Sequence, residues 1–378
     1  MLDKYLIILS SKNMIHIAIG TKAQFIKMFP VMAALKGRGV EFNLIDLGQH
    51  SLITEDLREE FNLKEPNVYL SQGKNISQVS EGLIWSLNII CKGVDKDKIT
   101  KEIFLGRKGI CLIHGDTVST LLALYLAKRV GIKVAHIEAG LRSYSYLEPF
   151  PEEIVRIVCM RFSDLLFAPY PYAFDNLKRM GLGKKSVLLS YNTSWESTLY
   201  SLNKRINFDF NVGKFCLVTI HRLENIFFRK KLEFIVELLK NISQTINLVF
   251  VQHPPTLEQI KKFALEERLK SSRIFFFKIL SHAHFLHLLE KCEFVSTDGG
   301  SIQEESYYLD KPCLLLRNFT ERQEGLGENV ILSKFSQTNI DYFLSHYNLL
   351  KRKEQLNFKN RPSQEIVDYI FYRKFDLT

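Results

Sequence analysis

From residue 15 onward, short apolar runs alternate with longer stretches whose apolar positions recur every three or four residues. The runs at 15–19, 42–47, 110–113, 134–137 and 165–167 are almost continuously apolar. Parallel strands covered on both faces look like this. Between them, 25–35, 117–130 and 153–162 carry helical spacing, and the alternating order predicts a doubly wound α/β sheet. The pattern weakens over 180–201, where Gly181, Gly183 and Ser190-Tyr191-Asn192-Thr193 interrupt it; this reads as a crossover between domains. It restarts with strands at 215–219, 248–251, 274–277, 294–296 and 313–316 and helices at 232–239, 257–269, 285–290 and 302–309. The expectation is two Rossmann-like doubly wound domains facing a central cleft. Residues 1–185 form the first, 186–358 the second, and 359–378 a closing helix centred on 366–371. Ligands of such sheets bind beyond the carboxyl ends of the strands.

The charged motifs fall at those ends. His114-Gly115-Asp116-Thr117, Glu138-Ala139-Gly140-Leu141-Arg142 and Pro149-Phe150-Pro151-Glu152-Glu153 each follow or close an apolar run. Carboxylates gathered on turns are how a protein moves protons to and from carbon or sugar oxygens. In the second half, Thr297-Asp298-Gly299-Gly300-Ser301 links a strand to a helix. Such a turn lets backbone N–H groups approach a phosphate, and the helix dipole adds to this; the alternative is an ordinary N-cap by Asp298 or Ser301. Glu305, one turn further, suits ribose hydroxyls. His221-Arg222 directly follows a strand, where cationic side chains suit a diphosphate. Arg142 and Arg156 flank the acidic segments, as salt-bridge partners or as phosphate contacts. Gly20-Thr21-Lys22 has one glycine rather than three, and no P-loop is present, which argues against a dinucleotide oxidoreductase and a P-loop kinase. His282, His284 and His287 read as surface and capping residues rather than metal ligands.

The chain has 378 residues, too many for one ordinary core, and 46% hydrophobic with 24% charged residues, as in soluble globular proteins. Its net charge of +10 is spread along the chain. That suits a solvated, lysine-rich surface better than a nucleic-acid footprint, and the field helps collect an anionic nucleotide. Six cysteines without a Cys-x-x-Cys pair read as thiols in a reducing compartment. No run is long enough to span a membrane. Leu6-Ile7-Ile8-Leu9 is too short for a signal peptide, so 1–13 reads as an extension, with Met14 as an alternative start. A cytoplasmic protein is expected.

The ordered blocks Gly20-Thr21-Lys22-Ala23-Gln24-Phe25-Ile26-Lys27, Gly48-Gln49-His50, His114-Gly115-Asp116-Thr117, His136 to Arg142, Pro151-Glu152-Glu153 with Arg156, His221 to Asn225, Ile302-Gln303-Glu304-Glu305 and Thr320-Glu321-Arg322 with Glu324 resemble UDP-N-acetylglucosamine 2-epimerases from about Met14 to Val330. The resemblance implies a glycosyltransferase-B-like fold, a cytoplasmic homodimer and supply of N-acetylmannosamine units for surface polysaccharide. It implies Asp116, Glu138, Glu152 and His221 as catalytic residues, a ribose contact at Glu305 and a diphosphate contact at Arg322. Lys22 stands where the family usually has Arg. Val155, Leu223 and Ser51 replace its frequent Asn, Arg and Arg, and Gly299-Gly300-Ser301 replaces its Ser-Gly-Gly. The Ser51 region resembles the part of the family that binds an activating UDP-sugar, and the change puts that activation in question.

A hexosamine C2–H is not acidic, so inversion there calls for elimination. UDP leaves C1, a base takes the C2 proton, and both return with the proton on the opposite face. Asp116, Glu138 and Glu152 would share the acid, base and charge-stabilising work. Lys22, Arg142, Arg156, His221, Gly299, Gly300, Ser301 and Arg322 would hold the UDP-sugar. No metal and no cofactor is expected, and no nucleic acid, membrane or other partner beyond the UDP-sugar and a second copy of the chain. The alternatives are a hydrolysing epimerase that releases N-acetylmannosamine and UDP, a glycosyltransferase of the same fold, and a UDP-sugar sensor.

Overall fold

A computed structural model describes residues 13–49, 57–71, 76, 79–145, 151–206, 211–357 and 359–372. Residues 1–12, His50, Ser51, Pro149 and Phe150 lie outside the described residues. Of the suggested extension, Asn13 already belongs to the first strand, opposite Lys108.

The chain divides into two compact units. One contains the residues up to Ser197 and those from Lys359 onward; the other is Thr198–Phe358. Among the described residues, the first unit holds one parallel sheet. Its strands are β1 (Asn13–Ile19), β2 (Phe42–Asp46), β3 (Val68–Tyr69), β4 (Lys108–His114), β5 (Lys133–Ile137), β6 (Leu165–Ala168) and β7 (Ser186–Leu188). Their order is β3-β2-β1-β4-β5-β6-β7. The second unit repeats the plan with β8 (Phe215–Thr219), β9 (Asn247–Val251), β10 (Ile274–Phe277), β11 (Phe294–Thr297), β12 (Cys313–Leu315) and β13 (Val330–Leu332), in the order β10-β9-β8-β11-β12-β13. Both are doubly wound, Rossmann-like sheets. The strand order reverses between β1 and β4 and between β8 and β11, and a loop is free to splay open only at such a point.

Each sheet is coated on both faces, which is why its strands read as continuous apolar runs. In the first unit, Ile17, Phe25, Met28 and Phe167 pack on one side and Trp85, Phe104, Cys111 and Ile113 on the other. In the second, Val218, Ile235, Phe250 and Phe343 face Leu217, Val249, Leu286 and Val295 across the sheet. The helix Pro362–Tyr372 places Ile366, Val367, Ile370 and Phe371 in the first of these layers. Arg38, just past the helix Lys22–Gly37, ties to it through Asp368 at 2.7 Å.

The short strands β3, β7 and β13 carry too few residues to show a period, and β7 lies in the stretch expected to be a crossover. The helix expected over 257–269 is two pieces, Pro254–Lys262 and a 3₁₀ turn at Glu266–Leu269. Between them Ala264 has φ +55°, a left-handed residue that ends a helix.

Candidate active site

At the carboxyl end of β1, Gly20 and Thr21 lead into the helix Lys22–Gly37 through a capping box. The Gln24 carboxamide accepts the Gly20 N–H at 2.8 Å and donates to the His114 carbonyl and to Thr120 Oγ1, both at 2.8 Å. The loops after β1 and β4 are thereby braced to each other. A Cβ on Gly20 would come within 2.5 Å of Ser119 Cβ, so that glycine permits close packing between loop and helix. Lys22 stands at the first helical position, partly exposed.

Lys27 is buried on the same helix and forms an ion pair with Glu138, and Asn192 donates to the same carboxylate oxygen. Glu138 follows β5 directly and has φ +67°, left-handed for a residue with a Cβ. Such backbone costs on the order of 1–3 kcal/mol and persists where its surroundings over-determine it, which makes it a mark of functional sites. His114 Nε2 lies 4.0 Å from Glu138. Burial, opposed by Glu138 and reinforced by Lys27 and His136, pushes His114 down to about 4. His136 is also pushed down to about 4, again by burial, although its Nε2–H donates to the Gly115 carbonyl at 2.7 Å. Both imidazoles are therefore neutral near pH 7.

Asp116 is partly exposed after β4 and is gripped by Arg156. Arg156 is almost fully buried, and its other nitrogen reaches Glu153 at 2.6 Å. Arg142 pairs with the opposite oxygen of Glu153, and the Ser143 N–H donates to Glu153 at 3.1 Å. One fully buried carboxylate thus holds two arginines, and through one of them Asp116. Of the two readings open for Arg142 and Arg156, the geometry supports salt-bridge partners that hold a carboxylate in place. Glu152 opens the helix Glu152–Phe162 after Pro151 and is partly buried.

The second unit gathers a different set. Asp298, fully buried after β11, caps no helix. It turns back to accept the N–H groups of His221 at 3.0 Å and Arg222 at 2.9 Å and the Asn225 amide at 3.0 Å. It so ties the loop after β8 to the loop after β11, and its burial raises its carboxyl above the usual range. The N-cap of the helix Gly300–Tyr308 is Gly299, without a side-chain cap, and Ser301 follows in the first turn. A Cβ on Gly299 would lie 3.0 Å from His221 Cε1, and one on Gly300 would lie 3.0 Å from Glu321 Oε1 and 3.3 Å from Arg322 Nε. The glycines make room for a ring of side chains around amide donors. Arg317 pairs with Glu321 at 3.1 Å and Arg322 with Glu304 at 3.1 Å, all four buried. Two arginines beside a helix N-terminus are an arrangement that suits an anion.

The His221 ring lies against that of His253, centroids 4.7 Å apart and planes tilted by 33°. Burial, then Arg222 and Arg317, push it down to about 3. The imidazole is therefore neutral near pH 7. Glu305 accepts from His282 Nε2 at 2.9 Å, and His282 is fixed in turn by Ser201 at 2.9 Å. His282 is buried rather than on the surface, whereas His284 does take the N-terminal turn, bonded to the capping Ser281.

Lys27, Glu153, Asn192, Arg317 and His282 join the expected residues, which fall into two groups. Asp116, Glu138, Glu152, Lys22, Arg142 and Arg156 belong to the first unit, and His221, Gly299, Gly300, Ser301, Glu305 and Arg322 to the second. Lys27 could have been found from its place one turn after Gln24 on the same helix face. Nothing in the sequence signalled Asn192 or His282.

Two Rossmann-like units, each with its charged residues at the carboxyl ends of the strands beside its switch point, define the glycosyltransferase-B-like class. The profile of the UDP-N-acetylglucosamine 2-epimerase family matches residues 33–364, and the chain belongs to that family and is an enzyme of the epimerase class. It is 30% identical over 384 aligned positions to UDP-N-acetylglucosamine 2-epimerase of Methanocaldococcus jannaschii, covering 96% of this chain and 100% of that one. The crystal structure of the M. jannaschii UDP-GlcNAc 2-epimerase in complex with UDP-GlcNAc and UDP superposes with a TM-score of 0.81 at 29% identity, covering 95% of this chain and 99% of that one. The UDP-GlcNAc 2-epimerase from Neisseria meningitidis bound to UDP-GlcNAc gives 0.78 at 25% identity, covering 94% and 99%.

Proposed function

We propose that the protein interconverts UDP-N-acetylglucosamine and UDP-N-acetylmannosamine by elimination and re-addition of UDP. The C1–O bond to the diphosphate breaks as a base removes the C2 proton, leaving a C1=C2 double bond. The proton then returns to the other face of C2 while UDP adds back at C1. The observation that carries this reading is the pairing of the loop carboxylates: Lys27 holds Glu138 and Arg156 holds Asp116, which fixes each at the carboxyl end of a strand, where a base or a partner for positive charge at C1 is needed. Asp116, Glu138 and Glu152 divide the proton work. The amides opening at Gly299, Gly300 and Ser301, with Arg317 and Arg322, take the negative charge growing on the leaving diphosphate. Neutral His221 serves there as a hydrogen-bonding group, Glu305 addresses the ribose, and Lys22 adds a point charge.

Incubation with UDP-N-acetylglucosamine in deuterated water tests this by NMR. Deuterium at C2 together with the UDP-linked epimer is expected; unlabelled product, or none, would overturn it. A hydrolysing outcome is the second reading, because Ser51 replaces the frequent Arg in the region that resembles the family's activator site. It predicts free N-acetylmannosamine and UDP in the same tube. The proposal extends to a role in surface-polysaccharide supply, a cytoplasmic setting and a homodimer.

A further inference from the structure

Ser201, His282 and Glu305, far apart in sequence, meet inside the second unit in one hydrogen-bonded chain. Ser201, in the last turn of the helix Ser194–Leu202, places its Oγ 2.9 Å from His282 Nδ1. His282 opens the helix His282–Lys291, and its Nε2 lies 2.9 Å from Glu305 Oε1. Among the described residues, His282 is the one side-chain partner of Glu305. All three are buried, Ser201 at 0%, His282 at 5% and Glu305 at 6% exposure. The direction of the bonds follows from the donors. An ionised carboxylate only accepts, so Nε2 carries a proton and donates it to Glu305. In the neutral ring Nδ1 is then an acceptor, and the Ser201 hydroxyl donates to it.

Serine, imidazole and carboxylate in series also make the triad of acyl-transfer enzymes, where the carboxylate backs the ring and the ring activates the serine. Here the roles run the other way. Ser201 is sealed from solvent, so its hydroxyl is no nucleophile, and it forms the fixed end of the chain. Glu305 is the other end. It follows Ser301 by one helical turn, on the same face of the helix Gly300–Tyr308 as the start of the glycine turn. We infer that Ser201 and His282 are positioning residues for the ribose of the nucleotide: they pin Glu305 Oε1 and so aim Oε2 at the ribose hydroxyls before the ligand arrives. A glutamate side chain is long and flexible, and fixing it in advance removes an ordering cost from binding. The inference deepens the reading of Glu305 as the ribose contact and rests on it. Preference for a ribonucleotide is thereby assigned to three separate helices rather than to one carboxylate.

Calorimetry on the full chain with UDP and with 2′,3′-dideoxy-UDP, which lacks both ribose hydroxyls, tests this. The parent chain should bind UDP about tenfold more tightly than the analogue, as loss of a charged hydrogen bond predicts. His282→Phe keeps a ring and removes both nitrogens. It should weaken UDP about five- to tenfold and leave the analogue within about twofold. His282→Gln, whose amide can still donate to Glu305, should fall between the parent and His282→Phe. Ser201→Ala keeps the imidazole but frees it to turn, and should weaken UDP about two- to threefold with the analogue again unmoved. Equal losses for the two ligands would make the chain a support of the fold alone and overturn the inference, and so would an unchanged UDP affinity in His282→Phe or Ser201→Ala; either result leaves Glu305 as the ribose contact. A parent chain that binds the two ligands alike would overturn that contact and the inference together.

Discussion

The two sites use one architectural device with opposite sign. In the first unit cations serve anions: Lys27 holds Glu138, and Arg142 with Arg156 surround Glu153 and pass the hold on to Asp116. In the second unit anions serve cations: Glu321 and Glu304 hold Arg317 and Arg322, while Asp298 fixes the loop that carries His221 and Arg222. Both lie at a switch point between strands. The same sheet geometry presents carboxylates in one case and arginines in the other, each held by buried counter-ions. A buried ion pair adds little to stability by itself, but breaking one is costly, so each hold is a position rather than a glue.

The sharpest way to break the contrast is to neutralise the presented anions. Asp116→Asn and Glu138→Gln should each lower C2 deuterium exchange by about 10²–10⁴-fold, with UDP affinity by calorimetry unchanged. Weakened UDP binding with exchange intact would reverse the division of labour. Arg317→Ala should do the opposite, costing UDP affinity about ten- to a hundredfold, as loss of a charged hydrogen bond does. Glu153→Gln leaves two buried arginines facing a neutral group and should cost about 3–5 kcal/mol in a denaturant titration, against a smaller loss for Glu153→Asp.

The histidines sharpen what the two sites share. His114, His136 and His221 are neutral in the fold, with pKa values below that of an unfolded histidine. The unfolded chain binds more protons than the folded one between about pH 6.5 and 4. Stability is therefore full above 6.5 and falls as the pH drops toward 4. His114→Gln should flatten that fall in a urea titration across the same range; an unchanged slope would mean that the ring is charged when folded. Leu223→Arg, at an exposed position, should change stability in the same urea titration by no more than about 0.5 kcal/mol.

Most strands were legible because burial on both faces makes them apolar throughout, and most loop motifs because they sit where those runs stop. The tertiary partners were not. Glu153 reads as one more acid in a first helical turn, and only the fold shows Arg142 and Arg156 on either side of it. Asp298 reads as an N-cap by position, yet three donors from the next loop claim its carboxylate first. Asn192 reaches Glu138 across 54 residues, and no local pattern encodes that meeting. The strands β3, β7 and β13, two or three residues long, were below the length at which alternation means anything.

The path of the backbone also sets an order of assembly. During synthesis the second unit, Thr198–Phe358, emerges whole before Ile366, Val367, Ile370 and Phe371 do, and those four complete an apolar layer over Ile17 and Phe25. The usual sequence, in which the amino-terminal part of a nascent chain folds first, is inverted for that layer. Chains of which only the first 358 residues or so had cleared the ribosome would carry a finished second unit behind an unfinished first one.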